Sequence, residues 1–179
     1  MPVRGNLLYG EGEVLTMKEK LVPFEHQRFE CVQCGECCRS RNVPVTMEDI
    51  KRLSGHGDPK EFLIIFDERK LVLERREWDS GCVFLDDTRC TVQEVKPLVC
   101  QLYPVCVSDK PLLEDGEPVR LKDGVDMYVY VDSSCKGVGC GNQMDLEGVR
   151  EKAFLLRTEM FATDLGALVG WYIENEEDY

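Results

Sequence analysis

The sequence predicts a small, cysteine-rich α+β domain of short helices and hairpins, followed by a C-terminal pair of helices. Three observations predict this fold class. Helix-start signals occur near residues 46 and 58. Short apolar runs bounded by turn residues indicate strands between residues 70 and 131. Apolar residues three and four positions apart recur from residue 146 to residue 172, as in amphipathic helices.

The helix-start signals lie just after the densest group of cysteines. Thr46, followed three residues later by Asp49, resembles a capping pair and predicts a helix to about Leu53. Asp58 before Pro59 predicts a second helix, because proline is favoured at the first helical position. The buried side of that helix would carry three apolar residues, Phe62, Ile65 and Phe66.

The middle of the chain reads as strands and turns. Residues 70–78 alternate apolar and polar side chains and predict a strand. Apolar runs on either side of 86–89 predict a hairpin that places Cys82 and Cys90 near its ends. A helical turn is expected at 97–102, an exposed loop at 109–124, a strand at 127–131 and a glycine-rich turn at 135–141.

The expected organisation is one domain with terminal additions, since 179 residues with 43% hydrophobic side chains can form one ordinary core. Residues 1–28 would be an N-terminal extension with a hairpin or loose strands. Residues 29–141 would form the cysteine-cluster metal-binding domain. Residues 142–179 would form a helical segment, two helices packed on the same domain.

The charge balance limits the classes of partner that the chain is expected to bind. Asp and Glu number 34 against 22 Lys and Arg, a formal charge of −12, which disfavours binding to nucleic acid or anionic membranes. A basic protein partner and simple solubility both fit this surface. No secretory leader or membrane-spanning run is visible, so we expect a cytoplasmic protein. Thiols in a reducing compartment are more often metal ligands or catalytic groups than disulfides.

Four of the ten cysteines lie in one short segment, 31–38, which reads CVQCGECC. Two residues between thiols let a tight turn direct both sulfurs at one ion, and Gly35 suits such a turn. Adjacent Cys37 and Cys38 could bind one centre from two angles or serve two centres. Later cysteines would complete one or two four-thiolate sites. An all-cysteine set favours iron–sulfur clusters, with zinc as the alternative and His26 or His56 as spare ligands.

These motifs resemble the YkgJ family of cysteine-cluster proteins, whose CxxCxxCC domain is described as zinc- or iron-chelating. The matching stretches are FECVQCGECCR at 29–39, TMEDI at 46–50, GCVFL at 81–85, CTV at 90–92, Lys96-Pro97, Cys100, Tyr103-Pro104 and CKGVG at 135–139. The resemblance implies that eight cysteines bind metal: Cys31, Cys34, Cys37, Cys38, Cys82, Cys90, Cys100 and Cys135. Flagellin lysine N-methylases look similar in their cysteine region, which suggests one enzymatic setting.

The chain departs from the family pattern in three ways, one of which is that the first 28 residues and the helical tail lie outside it. Gln101 stands where a basic residue is usual, and Cys106 and Cys140 are additional cysteines that stay open as extra ligands. Arg39 and Arg41 could offset the negative charge of a metal–thiolate centre. A run of C-x3-C-x2-C typical of radical chemistry on S-adenosylmethionine is missing, because Arg41 occupies the position of its third cysteine.

Three functions fit the sequence. The first is a non-enzymatic iron–sulfur or zinc protein that carries electrons, handles metal or uses it structurally. The second is an enzyme or enzyme subunit in protein modification, similar to the flagellin methylases, with its metal centre in the active site. The third is a zinc-stabilised interaction module. Two histidines supply no recognisable catalytic set, so no catalytic residue is assigned.

Overall fold

A computed structural model describes residues 18–66, 70–114, 116–162, 170 and 173 of the chain. The hairpin predicted within the first 28 residues falls mainly on residues 7–15, outside the described residues. The second predicted tail helix also lies outside them, apart from Gly170 and Ile173.

The described residues form short helices and small antiparallel sheets, which confirms the α+β class. The helices are α1 (Glu36–Ser40), α2 (Met47–Leu53), α3 (Pro59–Phe62), α4 (Leu98–Leu102) and α5 (Leu146–Ala162), with a 3-10 turn at Ser54–His56. The strands are β1 (Leu21–Pro23), β2 (Arg28–Phe29), β3 (Leu63–Phe66), β4 (Lys70–Leu73), β5 (Leu85–Asp86), β6 (Arg89–Cys90), β7 (Val105–Ser108), β8 (Pro118–Arg120), β9 (Asp126–Asp132) and β10 (Asn142–Gln143).

The chain divides into two compact units that alternate along the sequence. The first unit comprises the described parts of 1–32 and 102–157, and the second those of 33–101 and 158–179. The predicted divisions after residues 28 and 141 stay predictions.

The first unit is built on a four-stranded antiparallel sheet. Strand β9 is central, with β7 along one edge and with β1 and β8 at successive positions along the other. Tyr130 of β9 is 2% exposed and packs with Leu21 and Cys106. Its hydroxyl accepts a hydrogen bond from the backbone N–H of Leu112 at 2.9 Å, so the one polar atom of this buried ring is satisfied. The strand predicted at 127–131 is confirmed as β9.

The second unit packs α2, α3 and two hairpins around one apolar core. Hairpin β3–β4 contributes Leu63 and Leu71, helix α2 contributes Leu53, and all three side chains are at most 1% exposed. Hairpin β5–β6 pairs Leu85 with Cys90 and Asp86 with Arg89, as predicted for residues 83–92. The helical turn predicted at 97–102 is α4.

Helix α2 begins where the capping pair predicts. The hydroxyl of Thr46 accepts from the Asp49 N–H at 3.1 Å, and the Asp49 carboxylate accepts from the Thr46 N–H at 3.0 Å. This reciprocal arrangement is a capping box with aspartate in the place of the usual glutamate or glutamine. The prediction of this helix, including its end at Leu53, is confirmed.

Four predicted elements differ from the structure. The helix begun at Pro59 ends at Phe62, and the prediction that it buries Ile65 and Phe66 is wrong, because 63–66 form β3 against β4. Phe66 is 41% exposed. The predicted strand at 70–78 is shorter, ending at Leu73. Segment 31–38 is a loop only as far as Gly35, where α1 follows, and the expected loop at 109–124 contains β8.

Within the described residues, no helix combines the length and the apolar character needed to cross a membrane.

Candidate metal centre

The cysteine-rich segment changes direction at Gly35 and then enters α1. Gly35 has φ 71°, a left-handed conformation that L side chains adopt only at a cost. A Cβ at this position would lie 3.3 Å from the Cα of Thr88. The turn places Cys37 and Cys38 in the first turn of α1, with their sulfurs 4.0 Å apart.

Cys82 is attached to this helix through the backbone. Its N–H donates to the carbonyl of Cys38 at 2.8 Å, and its own carbonyl accepts from the Leu85 N–H at 2.8 Å. The first bond joins Cys82 to α1, and the second joins it to the start of hairpin β5–β6. Together the two bonds bring Cys82, which is distant in sequence, next to the cysteines of α1.

The remaining members come from the hairpin and from α4. Cys90 ends β6 opposite Leu85, and Cys100 lies in α4. Cys82, Cys90 and Cys100 are half-buried and pack on the same apolar core of the second unit. Three separate stretches of chain thus supply one thiol each.

These thiols lie close enough to act on one another's pKa values. The pKa of Cys37 responds to Cys38, that of Cys82 to Cys90 and Cys37, and that of Cys100 to Cys82, Cys37 and Cys90. We call Cys37, Cys38, Cys82, Cys90 and Cys100 the five-thiol cluster. Its members come from four stretches of the second unit, and Cys34 belongs to the same unit.

Burial and thiol neighbours raise the pKa of three members of the cluster, Cys37, Cys82 and Cys100. The Cys38 thiol, as a hydrogen-bond partner, and burial raise the pKa of Cys37 far above its ordinary value. Burial is also the main cause that raises the pKa of Cys82 and, more strongly, of Cys100. Lys96 and Arg41 act on Cys37 in the opposite direction. Metal binding at these thiols must therefore displace protons.

Three arginines fix the backbone around the cluster. Arg39 of α1 donates to the carbonyl of Asp87 at 2.7 Å, which connects α1 with the β5–β6 turn. Arg75 donates to the carbonyl of Ser80 at 2.8 Å and also to that of Arg39. Arg76 donates to the carbonyl of Leu85 and forms an ion pair with Asp79 at 2.6 Å. These bonds hold the segments that carry Cys37, Cys82 and Cys90 and leave positive charge nearby.

The donor set fits a soft metal. Among the residues that the structure describes, no group of three cysteine, histidine, aspartate or glutamate side chains is arranged so that it could hold a metal ion. Five thiols from one unit nevertheless exceed the four thiolates that a structural zinc ion or an iron–sulfur cluster takes. Zinc and iron both fit the chemistry of these sulfurs.

Four further cysteines lie in the first unit: Cys31, Cys106, Cys135 and Cys140. The segment before Cys31 is bonded to the glycine-rich turn, where the Glu30 N–H donates to the Gly137 carbonyl at 3.2 Å and the Gly139 N–H donates to the Arg28 carbonyl at 2.9 Å. Cys135 begins this turn and is half-buried, whereas Cys31 and Cys140 are exposed. The structure thus places five of the eight predicted ligands in one cluster, and metal ligation by all eight stays a prediction.

The other residues considered as ligands have separate surroundings. Cys106 lies in β7, is 1% exposed and packs with Leu21 and Tyr130, which is the environment of a small apolar side chain. Cys140 approaches the carbonyl of Lys136 with its sulfur at 3.9 Å. His26 lines a shallow pocket in the first unit, and His56 is exposed at the end of the 3-10 turn.

Sequence reasoning missed the contacts that hold the cluster in place. Asp49 was identified only as part of a helix cap, yet its carboxylate also accepts from the Leu98 N–H at 3.0 Å and so reaches the helix that carries Cys100. Arg75 and Arg76 carried no signal beyond their charge. A local pattern cannot reveal a bond between residues 49 positions apart.

Comparisons with known proteins agree with this donor set. The family model CxxCxxCC, described as "Putative zinc- or iron-chelating domain", matches residues 30–136, more than half of the chain. A relative, the uncharacterized protein MJ0661 of Methanocaldococcus jannaschii, is 29% identical over 106 residues. The alignment covers 51% of this chain and 54% of that protein, so the chain spans about half the length of the relative. No solved structure matches the chain. The chain therefore belongs to the CxxCxxCC family of zinc- or iron-chelating domains.

Proposed function

We propose that this chain is an iron–sulfur protein whose cluster is held by thiolates of the five-thiol cluster and serves in electron transfer. The observation that carries the proposal is that Cys82, Cys90 and Cys100 pack on one apolar core, while the Cys82 N–H donates to the carbonyl of Cys38 in α1 at 2.8 Å. Adjacent Cys38 supplies a further sulfur 4.0 Å from that of Cys37. Thiolate is the usual ligand of iron–sulfur clusters.

The composition of the site supports iron over zinc. Structural zinc sites often include histidine. The chain has ten cysteines but only two histidines, His26 and His56. An all-sulfur donor set with two adjacent cysteines suits a multinuclear centre better than a single ion.

The partial exposure of the thiols supports electron exchange with a partner protein. All five cysteines of the cluster are half-buried, so the centre would lie near the protein surface. A short path to the surface favours electron transfer to another protein. With a formal charge of −12, the chain would suit an electropositive partner protein.

Anaerobic purification tests the metal. We expect a coloured protein with broad visible absorption that bleaches on reduction, and metal analysis that finds iron and acid-labile sulfide. A colourless protein with stoichiometric zinc would contradict the iron–sulfur assignment. Purified protein that contains neither iron nor zinc bound by thiolate would contradict metal binding itself.

Two cysteine variants test the location of the site. We expect Cys100→Ser to lose most of the visible absorption, since it removes a coupled thiol of the cluster. The matched control is Cys106→Ala, which removes a cysteine from the core of the first unit and should keep the absorption. Equal loss in the two variants, or retention in Cys100→Ser, would place the centre elsewhere.

A further inference from the structure

We propose that Asp49 is the positioning residue for Cys100, fixing the helix that presents this thiol to the metal. The inference rests on the proposed function only in taking Cys100 as a ligand. It assigns Asp49 a role beyond the cap of its own helix.

The Asp49 carboxylate has three separate donors although its side chain is fully buried. One oxygen accepts from the Leu98 N–H at 3.0 Å and from the Arg52 guanidinium at 2.5 Å. The other oxygen accepts from the Thr46 N–H at 3.0 Å. A buried carboxylate is tolerated only with such partners, and here one of them belongs to a distant helix.

The bond to Leu98 determines where α4 begins. The first N–H groups of a helix have no acceptor within the helix, and an acceptor supplied from outside fixes its start. Leu98 is the first residue of α4, and the Gln101 N–H donates to the Pro97 carbonyl at 2.9 Å. Because α4 has only five residues, one anchor at its start sets the position of Cys100 two residues later.

Arg52 holds the carboxylate in the orientation that reaches Leu98. Burial alone would lower the pKa of Arg52, but its hydrogen bonds to Glu159 and Asp49 raise it. The guanidinium therefore stays charged and donates to the same carboxylate oxygen of Asp49 that accepts from Leu98. Asparagine at position 49 would face one of these donors with an NH2 group, so it cannot reproduce all three bonds.

The test uses the intact chain, freed of metal under reducing conditions and titrated with Co²⁺ as the probe. We expect Asp49→Asn to bind Co²⁺ about 10–100-fold more weakly, the usual effect of removing a group that orients a ligand. Its sulfur-to-cobalt absorption should fall by the same share as in Cys100→Ser. In the double variant, Asp49→Asn should cause no further loss, because it acts through Cys100.

Two controls separate positioning from general destabilisation. Thr46→Ala removes the hydroxyl that caps α2 and donates to Glu159, and it leaves the Asp49 bond to Leu98 in place, so its cobalt affinity and spectrum should match the wild type. Asp58→Asn makes the same substitution at the exposed cap of α3, where the carboxylate accepts from the Lys60 N–H at 3.0 Å, and should also be neutral. If Asp49→Asn does not fold, Asp49→Glu replaces it, with the same expected loss.

The outcomes are distinguishable. Wild-type affinity and spectrum in the Asp49 variant, or an equal loss in Thr46→Ala, would overturn this inference while metal binding stands. No sulfur-to-cobalt absorption in the wild type would overturn the proposed function and this inference together.

Discussion

At the scale of single residues, the thiols of Cys37, Cys82 and Cys100 combine burial with close thiol neighbours. Both factors disfavour the thiolate and raise the pKa of each group. A soft metal reverses this preference, because it binds only the thiolate. Proton release therefore accompanies metal binding, and metal affinity should rise with pH across the neutral range.

The same pKa values predict how the metal-free protein responds to alkali. In the unfolded chain the thiols ionise near their ordinary value of 9.0, whereas in the folded chain Cys37 and Cys100 stay protonated at that pH. The folded state then binds more protons, so its stability is fully present below about pH 9 and falls as the pH rises further. We expect the free energy of unfolding, measured without metal under reducing conditions, to decline from about pH 9 upward.

A variant isolates the contribution of one thiol. Cys100→Ala should make the decline shallower, whereas Cys140→Ala, which removes an exposed cysteine, should leave it unchanged. Stability that is constant or rises above about pH 9 would contradict the raised pKa values.

At the scale of elements, the start of α1 depends on the conformation of Gly35. Its positive φ costs an L residue about 1–2 kcal/mol. A Cβ there would also lie 2.6 Å from the Arg39 guanidinium and 3.3 Å from the Thr88 Cα. We expect Gly35→Ala to lower the free energy of unfolding by at least about 1 kcal/mol in urea titrations and to weaken metal binding.

Gly55 provides the matched control for this substitution. It lies in the 3-10 turn, and a Cβ there would meet nothing within 4 Å. Gly55→Ala should leave stability unchanged or raise it by up to about 1 kcal/mol. An equal loss in both variants would show that the geometry at Gly35 is not what supports α1.

The elements that sequence predicts best are those whose register is local. The turn at Asp87, which has φ 51°, fixes hairpin β5–β6 within six residues, and the Thr46–Asp49 box fixes the start of α2 within four. The signal at Asp58-Pro59 correctly predicts where α3 begins but does not predict its length. Pairing of β3 with β4 overrides the helix after Phe62, because tertiary contacts outweigh weak local propensity.

At the scale of the whole molecule, metal would join four stretches of the second unit that are far apart in sequence. A ligand that binds only the folded state stabilises it, by about 2.7 kcal/mol when its free concentration is 100 times its Kd. We therefore expect the thermal midpoint to rise on metal loading and to fall again when a chelator is added. Cys100→Ser should lose most of this shift, and Cys106→Ala should keep it. A midpoint that is insensitive to metal in the wild type would contradict the site.

The sequence resemblance predicted the family, which is confirmed, and a set of eight ligands, which stays a prediction although five of these cysteines belong to the five-thiol cluster. The alternation of the two units along the chain could not be predicted, because it depends on long-range pairs such as Leu21 with Asp132. The bond from Asp49 to Leu98 escapes pattern analysis for the same reason. Residue types reveal the chemistry of this site, whereas its assembly depends on contacts that no local motif encodes.

The buried contacts of Glu159 affect how this protein can be shortened. Its carboxylate accepts from the Thr46 hydroxyl at 2.7 Å and pairs with Arg52 at 3.3 Å, although it lies beyond residue 136, where the family match stops. Excising only the matched segment would leave that hydroxyl and guanidinium without this acceptor, right beside the α2 cap. A minimal version suitable for spectroscopy or engineering therefore has to keep the tail at least through residue 159.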